Sequence, residues 1–102
     1  TSNNLTGTIP EEIRFLSLAV IDLRDNKITG KIPQAAGNLN NLEWILLSDN
    51  DLTGIIPPKV PKLPDLIALF LEGNRLSGSI PTFNYENRNL RRVQLSQRNC
   101  GK

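Results

Sequence analysis

The chain contains no histidine, so a Ser-His-Asp or Cys-His catalytic arrangement and any histidine-ligated metal are excluded by inventory. Its one cysteine, Cys100, cannot close an internal disulfide, so the fold is not stapled in that way. We expect Cys100 to be a dispensable thiol, or to pair only beyond this chain. No apolar run is long enough to span a bilayer. No charged start followed by an apolar stretch and a small-residue cleavage site is visible either, so a secretory leader is absent, never included or already removed. Aromatics are scarce at 5%, and the single Trp therefore draws attention to wherever it falls.

What remains is composed like one globular unit: 102 residues, 38% hydrophobic and 22% charged. The formal charge of +2 hides an asymmetry, because residues 82–102 carry five Lys/Arg against Glu86 alone. This basic tail, with Arg88, Arg91, Arg92, Arg98 and Lys102, is read as charge capping the last coil. Only Tyr85 offers a nearby aromatic and no nucleic-acid motif accompanies the cluster, so nucleic acid is not the expected partner.

One string recurs four times, as NNLTGTIP, NKITGKIP, NDLTGIIP and NRLSGSIP. Its Asn falls at 3, 26, 50 and 74, its Gly at 7, 30, 54 and 78, and its Pro at 10, 33, 57 and 81, a period of 23 to 24 residues. Periods of this size describe a solenoid. Apolar-x-apolar triplets precede three of the strings, Ile21-Asp22-Leu23, Ile45-Leu46-Leu47 and Leu69-Phe70-Leu71, and Val93-Gln94-Leu95 follows. Each triplet reads as a short strand with alternate side chains inward. A return path of about 20 residues makes neighbouring strands parallel, in a right-handed coil.

Each repeated residue has a task. Asn26, Asn50 and Asn74 sit where the chain leaves the strand, so their amides are expected to stack as a ladder satisfying buried backbone groups. Leu5, Ile28, Leu52 and Leu76, with Ile9, Ile32, Ile56 and Ile80, are expected to fill the interior. The Gly column gives a turn position without a Cβ penalty, and each Pro ends a second extended stretch.

These residues resemble the plant-type leucine-rich repeat, whose pattern LxxLxLxxNxLTGxIPxxLGxLxx is matched almost column for column by Leu42 to Leu66. The resemblance runs from about Ser2 to Leu95. It implies an α/β-type solenoid: a right-handed superhelix of about four coils with a short-stranded parallel sheet on its concave face and little regular helix. It also implies recognition rather than catalysis, as in receptor-like kinase and receptor-like protein ectodomains and polygalacturonase-inhibiting proteins. Repeats are placed near 2–18, 19–42, 43–66 and 67–90, with a terminal coil at 91–102. Departures concentrate at the ends: Asn84 and Asn87 replace apolar columns, Arg98 stands at a ladder position, and no cysteine-pair cap precedes Thr1. The expectation is a piece of a longer array, with further repeats of the parent among its neighbours.

Strand positions pointing outward are free of the core's demands. Their columns are Val20, Trp44, Ala68, Arg92, then Asp22, Leu46, Phe70, Gln94, then Arg24, Ser48, Glu72, Ser96. Trp44, Leu46 and Phe70 are expected to form one exposed apolar group, with small Ala68 leaving a shallow pocket beside Trp44. Asp22, Arg24, Asp49, Glu72 and Arg92 would rim it and orient a protein or peptide ligand. Asp25 and Asp49 lie on adjacent strands about 5 Å apart, a separation that would suit a retaining glycosidase. A repeat sets any recurring acid beside its copy automatically, however, so no enzyme and no cofactor are expected. Asn4-Leu5-Thr6 is a glycosylation sequon, in keeping with a secreted protein or an ectodomain. The alternative function is ice or carbohydrate-surface binding. That needs a regular polar array, whereas the column Thr8, Lys31, Ile55, Ser79 is irregular.

Overall fold

A computed structural model of the chain describes residues 4–78 and the strand Arg92–Gln94, the latter by its backbone. Expectations placed on Cys100, Ile80, Ser79, Asn84, Asn87, Arg98, the rest of the basic tail and the side chains of Arg92 and Gln94 fall outside the described residues.

Each apolar-x-apolar triplet contributes to a strand of three residues: β2 (Val20–Asp22), β4 (Trp44–Leu46), β6 (Ala68–Phe70) and β8 (Arg92–Gln94). They pair in parallel in the order β2-β4-β6-β8, with Ile21 opposite Ile45, Ile45 opposite Leu69 and Leu69 opposite Val93. The repeated string builds a second parallel sheet: β1 (Thr6–Thr8), β3 (Lys27–Lys31), β5 (Asp51–Gly54) and β7 (Arg75–Leu76), in the order β1-β3-β5-β7. The return path is short 3-10 turns, Glu11–Phe15, Gln34–Asn38 and Val60–Lys62, the first two following Pro10 and Pro33 directly. No helix among the described residues is long and apolar enough to cross a membrane.

Leu42, Leu47, Leu52, Leu63, Leu66, Leu69, Leu71 and Leu76 are buried along the axis, with Ile28, Ile32 and Ile56 beside them. Leu5 departs from its expected place in this interior, being 50% exposed. Among the described residues a coil packs against it from one side only, through Leu5 N–H to Asn26 and Lys27 N–H to the Leu5 carbonyl.

The asparagines run through the stack. Asn50 Oδ1 accepts the Ile28 N–H at 3.0 Å, while its Nδ2 donates to the Leu23, Leu47 and Ser48 carbonyls at 2.8, 3.2 and 3.2 Å. Asn74 repeats the arrangement with Leu52 N–H at 3.0 Å and the Leu47 carbonyl at 2.8 Å. One side chain thus satisfies buried backbone groups of two successive coils, which the strand pairing alone would leave unmatched at a bend. The Thr/Ser column adds a second ladder on the surface. Thr29, Thr53 and Ser77 hydroxyls donate to the Gly7, Gly30 and Gly54 carbonyls of the preceding coil at 3.3 to 3.4 Å.

The glycine column has two reasons to be glycine. Gly54 has φ +82, which side chains rarely adopt, and a Cβ there would meet Lys31 Cγ of the coil before at 3.0 Å. The backbone of one coil is therefore shaped to pass beneath the exposed side chain of its neighbour.

Candidate recognition surface on the first sheet

The face of the first sheet turned away from the core carries alternate residues of each strand. Register places Trp44 beside Ala68 and Leu46 between Asp22 and Phe70. Ala68 has Trp44 on one side and, along the backbone, Arg92 on the other.

Burial corrects the expected exposure of this group. Leu46 is only 8% exposed and Ala68 is fully buried, yet neither belongs to the hydrophobic core cluster. Each lies in register beside an aromatic residue, Ala68 beside Trp44 and Leu46 beside Phe70. Trp44 and Phe70 are half-buried and offer the accessible apolar surface. The expected open pocket at Ala68 is thus filled, and Trp44 and Phe70 stand at diagonal register positions across the buried Leu46 and Ala68. Ser48 is likewise buried rather than outward and solvated, and its hydroxyl donates to Glu72 Oε1 at 2.9 Å. That bond holds the Glu72 carboxylate two residues from Phe70.

Asp22 and Arg24 meet each other. Arg24 Nε donates to Asp22 Oδ1 at 2.9 Å and its terminal nitrogen to Oδ2 at 2.8 Å, a two-pronged pair. The Arg24 hydrogen bond holds the Asp22 carboxyl below its ordinary range, and the same bond, aided by the charges of Asp22, Asp25 and Glu72, raises the Arg24 guanidinium. Arg24 is therefore committed internally before any partner arrives.

Asp25 and Asp49 occupy a bend that sequence reasoning read only as a pair of acids. Both adopt left-handed backbone, φ 59 and 60, and Gly73 takes the same place in the next coil at φ 77. Short polar side chains and glycine tolerate this conformation best. The Asp-Asn, Asp-Asn, Gly-Asn dipeptides are a turn signal that could have shown this. Asp25 and Asp49 N–H groups donate to the Ser48 and Glu72 carbonyls at 3.0 and 2.9 Å, so the bend extends the sheet.

Two hollows lie elsewhere. An apolar one of about 390 Å³ opens at the first coil between the two sheets, lined by Leu5, Ile9, Ile13, Leu18, Ile21 and Ile28 among others. A polar cleft of about 170 Å³ lies on the return path among Arg14, Ser17, Asn38, Asn40 and Asn41. Asn4 is exposed just ahead of β1.

A stack of parallel two-strand coils locked by an asparagine ladder defines a leucine-rich-repeat solenoid. Residues 1–52 match the leucine rich repeat family, and the chain belongs to it. No curated protein sequence matches the chain. Among solved structures, it is similar to a plant peptide hormone receptor, RGFR1, in complex with RGF2, at 38% identity and a TM-score of 0.87, over 93% of this chain and 15% of that one. It is also similar to the ectodomain of the membrane receptor kinase GASSHO1/SCHENGEN3 from Arabidopsis thaliana in complex with CASPARIAN STRIP INTEGRITY FACTOR 2, at 42% identity and 0.85, over 92% and 12%. A plant ice-binding protein matches at 44% identity and 0.71, over 76% and 25%. The chain spans a quarter or less of the length of each of these structures.

Proposed function

We propose that the chain is a non-catalytic module that recognises a protein or peptide through the outer face of its first sheet, within an extracellular receptor-like or inhibitor-like protein. The observation that carries this reading is the pair of half-buried aromatics, Trp44 and Phe70, in register beside the buried Ala68 and Leu46. Aromatic anchors in covered surroundings are what interface centres are made of. The peptide hormone receptor solved with RGF2 and the receptor kinase ectodomain solved with an integrity factor support it. An extracellular setting agrees with the exposed Asn4 sequon, which we assign as a glycan acceptor. Peptides selected from a random display library on the wild-type chain test the reading. Binding that disappears with Trp44→Ala/Phe70→Ala supports it; binders indifferent to both residues would refute it.

A second reading, ice binding, is favoured by the plant ice-binding neighbour. Its surface would be the exposed face of the second sheet, with Thr6, Thr8, Thr29 and Thr53. That face also carries Lys27, Lys31, Asp51 and Arg75, and the Thr29 and Thr53 hydroxyls already donate to backbone. Ice recrystallisation that continues unchanged in the presence of the protein would remove this reading.

A further inference from the structure

The apolar surface of Trp44 and Phe70 is bordered, at the C-terminal ends of β2, β4 and β6, by charge of predominantly one sign. Among the described residues, Asp22, Asp25, Asp49 and Glu72 stand there against Arg24. Arg24 is clamped by Asp22 in a two-pronged pair, so it cannot turn to a ligand without breaking both hydrogen bonds. Its raised pKa, to which Asp25 and Glu72 contribute after Asp22, registers the negative field of this border. Glu72 is held in place by the Ser48 hydroxyl, and Asp25 by a bend whose N–H is tied to Ser48. The Glu72 carboxylate and the Asp25 backbone are thus fixed by the fold.

Phe70 ends β6 and Glu72 follows two residues on, where the Asp49 N–H to the Glu72 carbonyl continues the pairing; two extended residues rise about 6.6 Å. An extended peptide has the same rise, so side chains at its positions i and i+2 match that separation. We infer that the partner is an extended peptide segment presenting an apolar side chain to Trp44 and Phe70 and, two residues away, a Lys or Arg to the acidic border formed with Glu72 and Asp25. This deepens, and rests on, the proposed use of the concave face. Direction follows too, because the border lies at the C-terminal ends of the strands and the cation must lie toward that side. Complementary charge at such a rim acts mainly on encounter and selectivity, and is screened by salt.

Trp44 is a built-in reporter, since it is the chain's single Trp and can be excited to the red of the absorption of the single Tyr. Three capped pentapeptides, Gly-Phe-Gly-Arg-Gly and its counterparts with Gln or Glu replacing Arg, are titrated to about 10 mM while Trp44 fluorescence is followed. The Arg peptide is expected to bind about tenfold tighter than the Glu peptide at low salt, a gap that closes to about twofold near 0.5 M salt. A variant carrying Asp25→Asn, Asp49→Asn and Glu72→Gln should abolish the preference; Asn keeps the left-handed bend and Gln can still accept from Ser48. If all three peptides shift Trp44 emission equally, or the Glu peptide binds best, the cation inference falls while the concave reading stands. If none shifts it, both fall.

Discussion

The carboxylate of Asp49 occupies the space that a Cβ on Gly73 would fill. The two residues hold equivalent bends in successive coils, both in left-handed backbone, and only the absence of a side chain at 73 lets the carboxylate of 49 lie over the next coil. Gly73→Ala combines left-handed strain with this collision, whereas Gly7→Ala carries the strain alone, having nothing within 4 Å of its Cβ position. Gly73→Ala is expected to destabilise by more than the roughly 1 to 2 kcal/mol of left-handed strain. Asp49→Gly in the same chain should recover part of the loss. A coupling of at least about 0.5 kcal/mol in that double-mutant cycle is the signature; simple additivity would show that the carboxylate swings away at no cost.

The ladder predicts a ranking. Asn50→Ala orphans the buried Ile28 N–H, at roughly 1 to 3 kcal/mol, and removes the inter-coil bond to the Leu23 carbonyl, leaving that carbonyl to Asn26 alone. Asn26→Ala should be milder, because Nδ2 of Asn26 bonds only within its own coil, to Leu23 and Arg24. Lys27→Ala, at an exposed neighbouring position, should stay within about 0.5 kcal/mol of wild type. Urea midpoints that place Asn26→Ala below Asn50→Ala would contradict the shared-coil account.

Truncating the aromatics separates surface from core. Trp44→Ala/Phe70→Ala uncovers Leu46 and Ala68 without touching the axial leucines, so about 1 to 2 kcal/mol of stability is expected to go while the circular dichroism spectrum is retained. Leu69→Ala, buried in the core, should lose about 2 to 5 kcal/mol. If the aromatic pair costs more than Leu69→Ala, Trp44 and Phe70 are structural first and recognition residues second.

Acid should expose the Asp22–Arg24 pair. Its folded-state pKa is depressed, so the stability that Asp22 contributes is present above its ordinary value of 3.8 and is lost as pH falls through the lower folded value. Wild type should melt slightly above Asp22→Asn at neutral pH. The two melting curves should converge once the pH has fallen below the folded-state value of Asp22, and the difference above it should be small because the pair is surface-exposed. Curves that stay apart in strong acid would mean that Asp22 acts through packing instead.

Much of this was legible in the residues, for identifiable reasons. A period of 24 forces equal residues into columns, so Asn50 had to lie between Asn26 and Asn74, and Trp44 had to lie beside Ala68. The roles that escaped are those set by a neighbour one coil away. The Thr29 hydroxyl finds its partner on Gly7, and Ser48 turns out to be buried, with its hydroxyl bonded to Glu72. Asp25 and Asp49 read first as acids, and their left-handed backbone was signalled only by the Gly73 that shares their column.

By itself, then, the sequence determined the repeat, the parallel stacking, the axial leucines and the residues that line the concave rows. These follow from alternation along a strand and from periodicity along the chain, both local rules. Only the tertiary structure decided that Leu46 is covered while Trp44 and Phe70 remain accessible, that Arg24 is spent on Asp22, and that Gly73 makes room for Asp49. Burial and pairing depend on the sizes and charges of side chains in adjacent coils, some 24 residues away, and are settled only when the coils pack.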